Sequence, residues 1–303
     1  MGIRLGNGDG TFQAASDVTT TANPRTALLG DMNGDGKLDL VLTYTALPGS
    51  VGVWLGNGDG TFQTPSVYTA GNGTWGARLG DINLDGKLDV LAANLSGTTV
   101  SVYLGNGDGT LQSSGTISAN TPSGVALGDL NGDRKPDAVV QSFSTDTVRV
   151  ALGNGDGTFQ TPVAYAVGDG PRFVEVADLN ADGKLDVVTD NTNTGANSIS
   201  VLLGNGDGTF QTQTTYAAGS GARYPVLWDA NGDGKIDLLV TNLNDNTVSF
   251  MLGNGDGTFQ VQTTFAVGTS PQFIALGDVN GDGKVDALVS NSSSDTISIL
   301  IKK

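Results

Sequence analysis

Asp31-Met32-Asn33-Gly34-Asp35-Gly36-Lys37-Leu38-Asp39 places oxygen-bearing side chains at positions one, three, five and nine of a tight turn. That is calcium-ligand spacing: a hard cation of this size takes six to eight oxygens, and a backbone carbonyl at position seven, here Lys37, usually completes the set. Gly36 at position six supplies a bend that a residue with a Cβ resists. Asp, Asn and Gly also build ordinary turns, so one copy would carry little weight. The chain holds six.

Position one is occupied by Asp31, Asp81, Asp129, Asp178, Asp229 and Asp278, and position three by Asn33, Asn83, Asn131, Asn180, Asn231 and Asn280. Position five is Asp35, Asp85, Asp133, Asp182, Asp233 and Asp282; position nine is Asp39, Asp89, Asp137, Asp186, Asp237 and Asp286. The carbonyls at position seven belong to Lys37, Lys87, Lys135, Lys184, Lys235 and Lys284. Successive loops start 50, 48, 49, 51 and 49 residues apart. Such a period marks a repeat architecture whose units bury their apolar faces on one another.

Between loops the chain reads as four short apolar segments, A to D, exemplified by Ala77 to Leu79, Leu88 to Ala93, Thr99 to Leu104 and Leu111 to about Ser118. Segment C alternates, as in Thr247-Val248-Ser249-Phe250-Met251-Leu252, which is the period of a half-buried strand. Segment B is more continuously apolar, as in Leu238-Leu239-Val240, which suits a strand covered on both faces. Four antiparallel strands per repeat make a propeller blade. The predicted fold is all-β: a six-bladed β-propeller of four-stranded antiparallel blades in a single domain. The blades are expected over 21–70, 71–119, 120–168, 169–219, 220–268 and 269–303, the last completed by 1–20. Pairing of the N- and C-terminal segments would then close the propeller and remove its open edges. Segment C is present at both ends, as Ile3 to Leu5 and Ile299 to Ile301, and either copy can fill the last blade.

A second repeated turn, Leu5-Gly6-Asn7-Gly8-Asp9-Gly10-Thr11-Phe12, recurs from Leu55, Leu104, Leu152, Leu203 and Leu252 between segments C and D. Asn-Gly and Asp-Gly are strong hairpin signals. Its terminal Phe12, Phe62, Phe159, Phe210 and Phe259, with Leu111 in the second repeat, are expected to pack between blades. Hairpin capping is the expected role of Asp9 and its equivalents, with extra metal ligation as the alternative.

The 303-residue chain has a formal net charge of −16, and 18 of its 31 acidic residues lie in the six loops. Six bound Ca²⁺ ions would reduce that charge to about −4, so the acidity is mostly that of metal sites. Nucleic acid and anionic membranes are poor partners for such a chain. Cysteine and histidine are absent, which excludes thiol and imidazole catalysis and a disulfide framework. Met1 enters in mid-repeat with no signal peptide or apolar span following it, so a trimmed chain is expected.

The paired signatures Gly-Asp-Met-Asn-Gly-Asp-Gly-Lys-Leu-Asp and Leu-Gly-Asn-Gly-Asp-Gly-Thr-Phe resemble FG-GAP/VCBS-type repeats, the propeller repeats related to the head of integrin α subunits. The resemblance spans essentially the whole chain and implies calcium in the loop joining strands A and B. It departs in blade number, seven in integrin heads against six here. It departs again at Asp129, where Arg134 replaces the position-six glycine and Pro136 stands at position eight, so this loop is expected to bind most weakly. A ligand at position twelve, as in EF-hands, is missing, since Leu42, Ala92, Val140 and Val289 stand there.

From hairpin leucine to the next loop aspartate the steps are 26, 26, 25, 26, 26 and 26; from that aspartate to the next leucine they are 24, 23, 23, 25 and 23. Length therefore varies between B and C, at the end of the blade opposite the metal loops. Variation on a rigid scaffold is where recognition residues collect. The D–A connections at that end offer Arg25, Trp75, Arg172, Phe173, Arg223, Tyr224, Gln272 and Phe273 as candidate ligand-binding residues, with packing along the propeller funnel as their alternative role. The leading expectation is a monomeric, extracellular, calcium-stabilised recognition or adhesion module. It would hold five or six structural Ca²⁺ ions and bind a glycan or an extracellular protein, with no catalytic residues and no membrane insertion. A polysaccharide lyase or hydrolase is the runner-up; its carboxylates would come from Asp146, Asp169, Glu175, Asp190, Asp245 or Asp295, which form no recognisable constellation. A structural or engineered propeller without ligand is the third reading.

Overall fold

The computed structural model describes residues 1–20, 23–193 and 195–302. Thr21, Ala22, Thr194 and Lys303, which fall at expected repeat boundaries or in a B–C connection, lie outside the described residues. The chain is an all-β β-propeller of six antiparallel blades, one per repeat, and its helical content among the described residues is the 3₁₀ turn Phe143–Thr145. It divides into two compact units.

The first unit, residues 18–166 with Met1 and 205–209, carries three blades. Strands A to D are Pro24–Gly30, Asp39–Tyr44, Ser50–Trp54 and Ser66–Thr69 in blade one. In blade two they are Thr74–Gly80, Asp89–Asn94, Thr99–Gly105 and Leu111–Ser118. In blade three they are Val125–Gly128, Asp137–Ser142, Thr147–Ala151 and Val163–Ala166. The second unit holds residues 2–17, 167–204 and 210–303. Blade four is Val174–Ala177, Asp186–Asn191, Ser198–Leu202 and Thr214–Ala217; blade five is Ala222–Trp228, Asp237–Asn242, Thr247–Met251 and Thr263–Ala266. Blade six has three strands, Pro271–Gly277, Asp286–Asn291 and Thr296–Leu300.

Every residue of strand B is buried in blades one to five, the apolar stretch at its centre and the polar residues at its ends alike. The cores lie between successive blades. Met32, Val41 and Val53 pack with Val90, Ala92, Tyr103 and Leu111 of the next blade, while Leu179, Val188 and Ile199 pack with Leu238, Val240, Met251 and Phe259. Each such side chain contributes about 1.5–3 kcal/mol on burial. Phe259 meets Tyr216 of the preceding blade edge-on at 5.5 Å, and Leu111 packs against blade one as a phenylalanine would. The hairpin residue is thus the inter-blade wedge that its recurrence suggests.

One expectation fails. Residues 1–20 do not supply a fourth strand to blade six among the described residues. Ser16–Asp17 pairs with Gly2–Ile3 in a separate two-stranded ribbon, and the C-terminal copy of segment C, Thr296–Leu300, fills the sheet. The N-terminal hairpin instead docks on the sixth loop through Gly10 N–H to Val279 O at 2.7 Å. Gly109 of blade two donates to Met32 O of blade one in the same way, and Gly257 of blade five to Leu179 O of blade four. The ribbon therefore takes the place of a following blade's hairpin. The reason is competition: both segment-C copies can pair, and the D-like segment stays with its covalently adjacent partner. Ile297 is consequently 56% exposed, where Ile199 and Val248 of blades four and five are fully buried.

Candidate functional site

In an antiparallel blade the A–B and C–D turns share one end and the B–C and D–A connections the other. At the first end the nine-residue loops are organised by their own carboxylates. Asp31 accepts Gly34 N–H at 2.7 Å and Gly36 N–H at 2.8 Å, Asn33 accepts Asp35 N–H, and Asp35 accepts Lys37 N–H. The Lys37 ammonium lies 3.4 Å from Asp35, an exposed pair of little energetic weight. Hydrogen bonds from the position-seven N–H chiefly hold Asp35 and Asp133 below the ordinary carboxylate range; N–H groups of Gly234 and Gly283 do the same for Asp229 and Asp278. Arg134 is in the left-handed region at φ +66°, the strain its Cβ predicts. Position four is left-handed too, including Leu84 at +63° and Ala181 at +57°, which sequence reasoning missed because only four of the six loops carry glycine there.

Position nine is different. Asp39 is fully buried and accepts Met32 N–H at 2.8 Å on one oxygen and Gly56 N–H at 2.7 Å on the other, tying loop to hairpin. The same clamp recurs at Asp89, Asp137, Asp186 and Asp237. In the sixth blade Asp286 accepts Lys302 N–H instead. Burial pushes Asp89, Asp137 and Asp186 up against the opposing pull of these N–H groups. The all-oxygen donor set of each loop fits a hard divalent ion by chemistry. As placed, its carboxylates are engaged by N–H groups, and no group of three acidic side chains among the described residues is gathered closely enough to hold an ion. Asp9 and its equivalents Asp59, Asp108, Asp156, Asp207 and Asp256 cap their hairpins, each accepting the hydroxyl and the N–H of the threonine two residues on. The threonine hydroxyl is the main cause of the lowered pKa values of Asp9, Asp59, Asp108, Asp156 and Asp256.

At the opposite end, strand A is bulged in blades one, two, five and six, at the D–A residues singled out from sequence. A bulge re-aims side chains. In the second unit the bulged Tyr224 and Phe273 meet Phe173, which lies just ahead of the unbulged strand A of blade four: Phe173 lies 4.9 Å from Tyr224 and 5.8 Å from Phe273, and Tyr224 5.0 Å from Phe273, all edge-to-face. Arg223 donates to Gln272 at 3.4 Å, and Arg172 to Thr192 at 3.2 Å. All six side chains are half-buried. In the first unit Arg25 stacks over the Trp75 ring, 3.5 Å from its centroid. The bend there is tight: a Cβ on Gly76 would stand 2.2 Å from Ser123 O.

Beneath the triad lies Asp190, fully buried at the fifth position of strand B. It accepts Arg172 and Phe173 N–H at 2.8 Å each and Tyr224 N–H at 3.3 Å. Sequence reasoning leaves it among six carboxylates without a recognisable constellation; its signal is an aspartate where other blades carry Thr43, Ala93, Gln141, Thr241 and Ser290.

Residues 31–92, 81–140, 129–189, 191–240 and 229–289 match the FG-GAP-like repeat. No curated protein matches significantly. Among solved structures, a periplasmic gluconolactonase of Pseudomonas aeruginosa aligns with TM-score 0.73 at 17% identity, over 98% of this chain and 86% of its own. A putative 6-phosphogluconolactonase of Bacteroides fragilis gives 0.70 at 18%, over 96% and 83%. An Agrocybe aegerita lectin that recognises non-reducing terminal N-acetylglucosamine gives 0.58 at 23%, over 89% and 75%. At these identities the likeness is one of fold.

Proposed function

The chain belongs to the FG-GAP-like repeat β-propellers, and we propose that it is an extracellular recognition module whose calcium loops hold one end of the blades while the other end binds a glycan. The observation that carries this reading is the convergence of Phe173, Tyr224 and Phe273 with Arg172, Arg223 and Gln272 on blades four to six. Half-buried aromatic faces ringed by planar donors suit a sugar, whose C–H face stacks while its hydroxyls accept hydrogen bonds. The Arg25–Trp75 pair offers the same chemistry in the first unit.

Calcium is assigned to the loops on donor chemistry and sixfold recurrence. Asp31, Asn33, Asp35 and the Lys37 carbonyl, with their equivalents, would hold the ion, and its charge would offset the crowded carboxylates. Asp39 and its equivalents would add ligation to the clamp they already form. Sites of millimolar-range affinity fill only where free Ca²⁺ is near that level, which supports an extracellular location. Binding is favoured over catalysis because three of the six candidate carboxylates are engaged locally: Asp169 accepts from Asn193, Asp245 from Ser220 N–H, and Asp190 from three N–H groups.

A glycan array probed in 1 mM Ca²⁺ tests the reading. A saturable hit abolished by Phe173→Ala and Phe273→Ala supports it; an array without hits, or one whose hits ignore both substitutions, rejects the site.

A further inference from the structure

We propose that Asp190 is the positioning residue of this recognition site: its carboxylate fixes the two bends that carry Phe173 and Tyr224 and so sets the arrangement of the three rings. The proposal rests on the recognition reading above and adds the group that organises it.

The second of these bends must be held in an unfavourable shape. Tyr224 sits at φ +54°, left-handed for a bulky residue, inside the bulge between Arg223 and Val226 and directly before Pro225. Backbone of this kind persists only where surrounding structure over-determines it. Asp190 Oδ1 accepts both N–H groups of the Arg172–Phe173 bend in its own blade, and Oδ2 reaches the Tyr224 N–H in the next. A charged carboxylate is acceptor-only, so it satisfies three converging donors that an amide would in part oppose. The neutral hub in blade five works with the opposite polarity: Thr241 donates its hydroxyl to Arg223 O and Gln272 O. The third ring, Phe273, is placed by its own N–H on Ser290 at 3.2 Å. One side chain therefore holds two of the three rings, across two blades.

The charged groups bearing on Asp190 are the Arg172 guanidinium, from the connection ahead of strand A in blade four, and the Arg223 guanidinium, from strand A of blade five. From strand C its pairing partner is the apolar Ile199. Burial raises the carboxyl to about 6 against the N–H groups of Phe173, Arg172 and Tyr224. Acidification thus offers a reversible way to weaken the clamp without substitution.

The test is amide and aromatic NMR of the calcium-saturated full chain between pH 4 and 7.5. The N–H resonances of Arg172, Phe173 and Tyr224 are expected to shift together with one midpoint near pH 6, and the ring resonances of Phe173 and Tyr224 to move with them. In Asp190→Asn the shared midpoint disappears, the rings are displaced already at pH 7.5, and affinity for an array-identified glycan falls at least tenfold. Amides that titrate while both rings stay fixed overturn the proposal, as do wild-type ring resonances in Asp190→Asn. If the variant does not fold, the wild-type titration decides: amides and rings that fail to move together anywhere between pH 4 and 7.5 overturn the proposal. Since the NMR readout needs no ligand, an empty glycan array with moving rings sinks the glycan reading alone.

Discussion

Asp190 Oδ2 accepts the N–H of Tyr224, 34 residues further along the chain and one blade away, at 3.3 Å. This link joins a buried charge to a strained bend; burial outweighs the three N–H groups, so protonation loosens these hydrogen bonds and yet raises the net stability of the fold, which makes stability depend on pH in a defined direction. The folded pKa is raised, to about 6 from 3.8, so the group's contribution is fully present below about pH 4 and is lost as pH rises through 6. A gap of about two units corresponds to about 3 kcal/mol. Asp190→Asn does not titrate, so wild-type stability relative to the variant should fall by about that amount between pH 4 and 7.5. Urea unfolding across this range in saturating Ca²⁺ measures it; a constant difference would show that the buried carboxyl does not titrate in this window.

Asp39→Ala leaves the Met32 and Gly56 N–H groups without acceptors in a buried site. Each orphaned donor costs about 1–3 kcal/mol, so a loss of roughly 2–5 kcal/mol is expected. The exposed Asp35→Ala should cost far less than Asp39→Ala when metal is absent. Chemical unfolding in EGTA separates the two roles, because a position-nine aspartate acting only as a ligand would then cost nothing.

Calcium removal should lower the melting temperature. With a Kd of about 0.1 mM at about 1 mM Ca²⁺, each site stabilises by roughly 1.4 kcal/mol, and six by roughly 8 kcal/mol. That is comparable with a whole domain's net stability of about 5–15 kcal/mol. Calorimetry with and without EGTA, beside a titration that counts sites, would reject the metal reading if the two melting curves coincide.

Arg134 at φ +66° costs more than glycine would in the same conformation. Arg134→Gly should stabilise the protein by about 0.5–1 kcal/mol and strengthen Ca²⁺ binding in the Asp129 loop by removing a nearby cation. Unchanged unfolding and an unchanged site count in this variant would show that the loop is already relaxed.

The sequence by itself determined the repeat, the six oxygen-rich loops, the hairpins, the buried B strands and the wedge residues, because each is written in local chemistry that recurs about every 49 residues. It also pointed to the bulged D–A residues, through aromatic and guanidinium side chains in otherwise variable connections. Tertiary structure decided what depends on partners from other strands and blades. Gly56 makes Asp39 a clamp as well as a candidate ligand, and it arrives from beyond two further strands. Tyr224 and Phe173 become neighbours only when blades four and five pack, which turns Asp190 from one candidate carboxylate among six into the hub of a site. The N-terminal ribbon was a contest between two similar segment-C copies, and no local pattern says which of them pairs with the sixth blade. Periodicity fixes what each repeat is made of; register and inter-blade contact fix which groups meet.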